Sequence, residues 1–263
     1  MNCLYTTLLG TDDYLYGVIG LYRSLMNSGT QYGFKAIVPD NIKLETIAIL
    51  DECQVPYEIV VNTPFRMSGL ENPFYCTLNK FQFLQWTEYD RIMFLDADTI
   101  VMVNPDILFT LEHECAGAVD NFEVEIPWYK GNAIILPPSV ALWNRLTQLQ
   151  NSITITNDEE VLNQLITPYI PMSKFWEYPY FFHEGPFVWD RAFAYKYWVK
   201  FNLTTISQLY DFIDTVHQRL ILVNPPIDYE VIEPNLVTSL DDLIINTELP
   251  PRNLSSYYIW LEQ

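Results

Sequence analysis

The stretch Arg91-Ile92-Met93-Phe94-Leu95-Asp96-Ala97-Asp98-Thr99 decides the fold. Its four consecutive apolar residues, 92–95, leave no polar side for solvent. Such a run reads as a central strand covered on both faces, the kind found in parallel sheets flanked by helices. An acidic turn follows at once. It stands at the strand's carboxyl end, outside which ligands of such sheets bind.

The segments before it fit the same sheet. Residues 3–9 read as a strand that stops at Gly10. Over 14–27, Leu15, Val18, Ile19, Tyr22, Leu25 and Met26 recur at helical spacing, with Asp12 or Asp13 in the cap region. A strand over 34–38 is ended by Pro39, then come a helix over 44–53 and a strand over 57–61. Residues 62–76 read as a loop and 78–86 as a short helix. Alternation of this kind predicts an α/β fold, a mostly parallel sheet with right-handed crossovers. Beyond residue 100 the pattern loosens into strands over 116–119 and 133–136 and helices over 140–149 and 158–166. Aromatic residues crowd from Tyr169 onward, and the last thirty-odd residues are acidic and punctuated by proline. With no repeat and no low-complexity linker, the expectation is one domain with an accessory C-terminal part.

The chain has 263 residues, 49% of them hydrophobic, enough for a sizeable core rather than a disordered chain. Its 14 basic residues face 33 acidic ones, a net charge of −19, which argues against a nucleic-acid partner. Acidity does not oppose a phosphate-bearing small molecule, because a divalent cation can bridge carboxylates to a diphosphate. Cys3, Cys53, Cys76 and Cys115 are scattered without a C-x-x-C pair and read as reduced core thiols. No basic leader and no apolar run near ~20 residues is visible, so a cytoplasmic protein without a membrane partner is expected. The sequons at Asn202 and Asn253 then read as coincidental.

Two carboxylates one residue apart, Asp96 and Asp98, can both enter one cavity from a turn leaving a strand. Hard cations such as Mg²⁺ or Mn²⁺ take oxygen ligands and bind through one or two carboxylates plus substrate phosphates. A metal held there would neutralise a diphosphate leaving group. An ordinary acidic turn is the plain alternative.

Several blocks in one order carry a resemblance. They are Thr11-Asp12-Asp13-Tyr14 through Gly17, Leu21-x-x-Ser24-Leu25, Thr77-Leu78-Asn79-Lys80-Phe81, residues 88–98 around the acidic turn, and Asn104-Pro105-Asp106-x-Leu108-Phe109. Over about residues 3–165 the chain resembles glycosyltransferase family 8, the glycogenin and galactinol synthase group, with a GT-A type, Rossmann-like fold. The resemblance implies a retaining enzyme that moves a hexose from a UDP-sugar, UDP-glucose or UDP-galactose, with Mn²⁺ or Mg²⁺. It divides the chain into a nucleotide-binding half (1–110), a sugar and acceptor half (111–200) and an accessory segment (201–263).

Carried over by position, Leu8, Gly10, Thr11 and Tyr14 frame the uracil and ribose, with Tyr14 stacking on the base. Ala97 meets the ribose through its backbone, and Lys80 faces the diphosphate or sugar. Asp158 and Glu159 stand where the family has an Asp-Gln pair facing the sugar, so glutamate at 159 is a departure. Capping of the helix by Asn157 or Asp158 is the plain alternative there. The family's Asn-x-Gly is here Lys130-Gly131-Asn132, with Asn132 the nearest sugar-binding amide. The third metal ligand, a histidine in His-x-x-Gly-x-x-Lys-Pro-Trp, is matched imperfectly by His183 with Gly185, or else by His217. Arg191 could supply the missing cation, and His113 reads as solvated. The acceptor is a carbohydrate or a protein-linked glycan, with Tyr257 and Tyr258 as self-glycosylation targets, and a homodimer is open. Two other readings stand beside this one: a catalytically silent, lectin-like glycan-binding module, and a sugar nucleotidyltransferase, against which the missing glycine-rich phosphate loop counts.

Overall fold

The computed structural model describes residues 1–63, 76–101, 104–119, 129–152, 157–166, 172–174, 187–189 and 196–221. These fall into two compact units that interleave along the chain. One comprises residues 1–15, 32–97 and 108–175, the other residues 16–31, 98–107 and 176–263.

The first unit is built on a seven-stranded sheet in the order β3-β2-β1-β4-β7-β6-β8. Its strands are β1 (Cys3–Leu8), β2 (Gly33–Pro39), β3 (Tyr57–Val60), β4 (Arg91–Leu95), β6 (Cys115–Val119), β7 (Tyr129–Leu136) and β8 (Met172–Lys174). β1, β2, β3 and β4 pair in parallel, and so do β6 and β8, whereas β7 is antiparallel to both β4 and β6. β4 is the central strand, buried at every position, as its apolar run predicts. β1 is buried throughout as well.

Among the described residues this unit has the α-helices α2 (Leu44–Glu52), α3 (Val140–Ser152) and α4 (Asp158–Ile166). The expected α-helix at 78–86 is instead a 3-10 helix, Thr77–Gln85. The reason is a three-residue period. Leu78, Phe81 and Leu84 form one row, Asn79, Gln82 and Gln85 a second, and Lys80 and Phe83 a third, and 3-10 geometry eclipses side chains at i and i+3. The amide row is hydrogen-bonded: Asn79 accepts the Thr63 N–H at 2.7 Å, Gln82 donates to the Val61 carbonyl at 3.1 Å, and Gln85 donates to Gln82 at 2.6 Å.

Asp12 does not cap the helix beginning near it. Its carboxylate accepts the Lys43 N–H at 3.2 Å and the Thr46 hydroxyl at 2.7 Å, so it serves the amino end of α2. Thr11 is the residue at the cap of the 3-10 turn Asp12–Tyr14, with no side-chain cap bond. Cys3, Cys76 and Cys115 are buried and none of the four cysteines forms a disulfide. Burial pushes the Cys115 thiol up to about 12.

In the second unit lie α1 (Leu15–Asn27) from Tyr16 onward, β5 (Thr99–Val101) paired antiparallel with β9 (Phe187–Trp189), α5 (Tyr197–Lys200) and α6 (Ile206–Ile221). Arg23 of α1 grips Asp214 of α6 with two hydrogen bonds, at 3.0 and 2.7 Å, and Asn27 adds a third at 2.7 Å. Val101 is held from two sides: Ser24 accepts its N–H at 3.0 Å, and His217 Nε2 lies 2.7 Å from its carbonyl. Among the described residues no helix is long and apolar enough to cross a membrane.

Candidate active site

Four elements of the first unit meet at the carboxyl edge of its parallel strands. β1 and β4 run in register, Thr6 beside Phe94, so residues 8–11 and 95–96 leave the sheet together. Being antiparallel, β7 brings its amino-terminal residues to the same edge. The Asp96 N–H donates to the Asn132 carbonyl at 2.8 Å, one step past the Leu95–Ala133 pair. α4 is fixed on β7 by Asn163, a buried polar residue among Val161, Leu162, Leu165 and Ile166. Its amide donates to the carbonyls of Tyr129 and Glu159 and accepts the Tyr129 N–H, each at 2.8 Å. Asn163 thereby satisfies backbone groups that a neighbouring strand would otherwise pair.

The carboxylate at the start of α4 is free for chemistry because another side chain caps the helix. Asn157 Oδ1 accepts the Glu160 N–H at 2.8 Å, the bond expected of an N-cap residue. Asp158 instead meets Lys80, which the 3-10 helix carries into the interior at 4% exposure. Lys80 Nζ donates to Asp158 Oδ2 at 2.5 Å, to the Gly131 carbonyl at 3.1 Å and to Asp96 Oδ1 at 3.2 Å. An ammonium has three protons to give, and all three directions have acceptors. Burial, the largest single influence, works against the charge, yet Asp158 and Asp96 outweigh it and hold the proton more tightly than in an ordinary lysine. Lys80 is therefore a fixed cation rather than a base.

Glu159 is next to this cluster. Burial raises its pKa, Asp158 adds to the rise, and Lys130, with Nζ 3.9 Å from the carboxylate, opposes it with Lys80 and a backbone hydrogen bond from Gly131. The net shift is upward from the ordinary carboxylate value. Asn132 contributes a buried Oδ1 without a hydrogen-bond partner, an acceptor that a ligand donor could satisfy.

On the nucleotide side proposed from sequence, Leu8 is buried, while Gly10, Thr11 and Tyr14 are half-buried. A Cβ on Gly10 would lie 3.3 Å from Cys76 Sγ, so the chain passes close to that thiol. Tyr14 closes the 3-10 turn with its N–H on the Thr11 carbonyl at 3.0 Å. Ala97 is buried in the turn after β4. Asp96 belongs to the first unit, and Asp98 begins a segment of the second. Among the described residues no three His, Cys, Asp or Glu side chains gather as a metal cage. His217 spends Nε2 as donor to a carbonyl, which leaves Nδ1 as the ring's lone pair. His183, Gly185 and Arg191 lie outside the described residues.

A sequence model of the family described as "Glycosyl transferase family 8" matches residues 5–159. The chain belongs to glycosyltransferase family 8. Galactinol synthase 3 of Arabidopsis thaliana is 31% identical over 132 residues, 47% of this chain and 38% of that protein. Glycogenin of Neurospora crassa is 30% identical over 123 residues, 44% of this chain and 18% of that protein. UDP-glucuronate:xylan alpha-glucuronosyltransferase 2 of Arabidopsis thaliana is 26% identical over 165 residues, 61% of this chain and 26% of that protein. The matches thus span well under half of these curated relatives' own length. Among solved structures, an active-site mutant of LgtC aligns with a TM-score of 0.50 at 13% identity, covering 65% of this chain and 72% of that one. The bifunctional glycosyltransferase WbbM, without ligand, aligns at 0.51 and 12%, covering 65% and 38%. These likenesses establish the GT-A type fold.

Within this family 8 domain the structure brings together Lys80, Asp96, Asp158, Glu159 and the Asn132 backbone from four segments of the chain. Asn163, which seats α4, went unnamed from sequence; Asn157 is the cap that the sequence offered beside Asp158, and Gly131, quoted there only within Lys130-Gly131-Asn132, takes a Lys80 proton on its carbonyl. A polar residue amid the apolar face of α4 was the available signal for Asn163.

Proposed function

We propose that this family 8 glycosyltransferase is a retaining enzyme that moves a hexose, glucose or galactose, from a UDP-sugar to an acceptor hydroxyl with Mn²⁺. The single observation that carries the reading is the buried Lys80 bonded to both Asp158 and Asp96. With its three protons spent on Asp158, Asp96 and the Gly131 carbonyl, Lys80 anchors two carboxylates at the carboxyl edge of a parallel sheet, where ligands of such folds bind.

Asp96 and Asp98, one residue apart in sequence, are the carboxylates that would hold such a hard cation. When bound, such an ion neutralises diphosphate charge as a Lewis acid. Lys80 holds Asp158 in place as an acceptor for sugar hydroxyls, and Asn132 Oδ1 is a second unspent acceptor on β7. Tied to Lys80, Asp158 is a poor nucleophile. Same-face attack by the acceptor hydroxyl therefore fits better than a covalent route. Tyr14 stacks on the base, and a glycan or a protein-linked glycan is the acceptor class.

A screen of UDP-glucose, UDP-galactose and UDP-glucuronate, the last because a relative's name specifies it, measures hydrolysis with and without Mn²⁺. One of the two hexose donors should be turned over only with metal. Asp98→Asn should abolish that turnover, and undiminished activity in this variant sinks the reading.

A further inference from the structure

Gly131 lies on β7, opposite the start of α4, and its backbone is outside the left-handed region that favours glycine. Conformational freedom does not explain the residue. Space does. A Cβ built on Gly131 would stand 2.7 Å from Asp158 Oδ2, 3.2 Å from Lys80 Nζ and 3.6 Å from Glu159 Cγ. The first distance is one that carbon and oxygen do not tolerate without displacement. Every atom it meets is at or near the end of an ionisable side chain, so the backbone can stay and the charged groups must move. The Gly131 carbonyl meanwhile accepts a Lys80 proton at 3.1 Å, which draws the ammonium against the strand at the spot left open.

We propose that Gly131 is a positioning residue: the absence of a side chain on β7 seats the Asp158 carboxylate against Lys80 and sets where that carboxylate stands for the donor sugar. The kinetic part rests on the reading of this site as a UDP-sugar site, whereas the seating of Asp158 stands on the contact itself. A methyl at 131 displaces Oδ2 from Lys80 and turns it from its place. A carboxylate shifted by about 1 Å can cost up to about a hundredfold in turnover. UDP alone, which lacks the sugar, does not use Asp158 and should bind as before.

The test uses the full chain with Gly131→Ala, Asp158→Ala and the double variant. Turnover of the preferred UDP-sugar with Mn²⁺, the UDP dissociation constant and the Tm are measured for each. The expected result for Gly131→Ala is a fall in kcat approaching about a hundredfold with UDP affinity held within about twofold. Its Tm should drop by a few degrees in the wild-type background and stay unchanged when Asp158 is already alanine, because the clash has lost its partner. A Gly131→Ala chain that fails to fold but is rescued by Asp158→Ala supports the same conclusion. Unchanged turnover in Gly131→Ala, or an equal Tm drop in both backgrounds, overturns it. If the wild type turns over and binds no UDP-sugar, the functional reading falls, and the comparison of Tm values alone decides the seating of Asp158.

Discussion

Replacing Lys80 by methionine keeps most of the side-chain volume and removes the cation. Two carboxylates then lose a partner, but not equally. Asp158 has a side-chain exposure of 10% and Asp96 one of 37%. Water takes over much of the solvation of Asp96, as it does for exposed pairs, so its share of the loss is small. Asp158 is left as a buried charge without its ammonium, a change that costs about 3–5 kcal/mol. At about 2–4 °C per kcal/mol for a domain of this size, the Tm falls by on the order of 10 °C. Adding Asp158→Asn removes the stranded charge, so the double variant should recover a good part of the loss. Urea unfolding of the single and double variants measures both numbers. A Lys80→Met midpoint indistinguishable from wild type, or a double variant no more stable than the single, would refute the account of this pair as a buried, mutually dependent unit.

Two further perturbations act outside that pair. Glu159 has a folded-state pKa raised above its unfolded value, so the native state binds more protons and stability falls as pH rises through that interval. Glu159→Gln should flatten this slope and gain stability at pH 8 relative to pH 4, checked by urea midpoints at both values; a wild-type slope kept by the variant contradicts it. Asp12→Ala removes two acceptor bonds at the amino end of α2 and should cost about 1 kcal/mol, read as a lower denaturation midpoint with unchanged UDP affinity.

The sequence by itself determined the elements whose local pattern agrees with their place. Four apolar residues made β4 legible as a central strand, and α4 spans 158–166 as its apolar spacing predicts. The ordered motif blocks fixed the family, and the acidic turn after β4 pointed to the working edge of the sheet. Other features depended on groups far apart in sequence. The strand expected over 133–136 reaches back to Tyr129, whose backbone groups are hydrogen-bonded by Asn163 from α4. Lys130, Gly131 and Asn132 stand just before the strand read at 133–136, and only antiparallel pairing with β4 carries them to the Asp96 turn. The burial of Lys80 was equally hidden, since a lysine on a short helix looks solvated until Asp158, 78 residues away, arrives to hold its charge. Local periodicity reports which face of an element is apolar. It carries no information on which distant carboxylate will occupy the space a glycine leaves, and that was settled by the packing of α4 on β7.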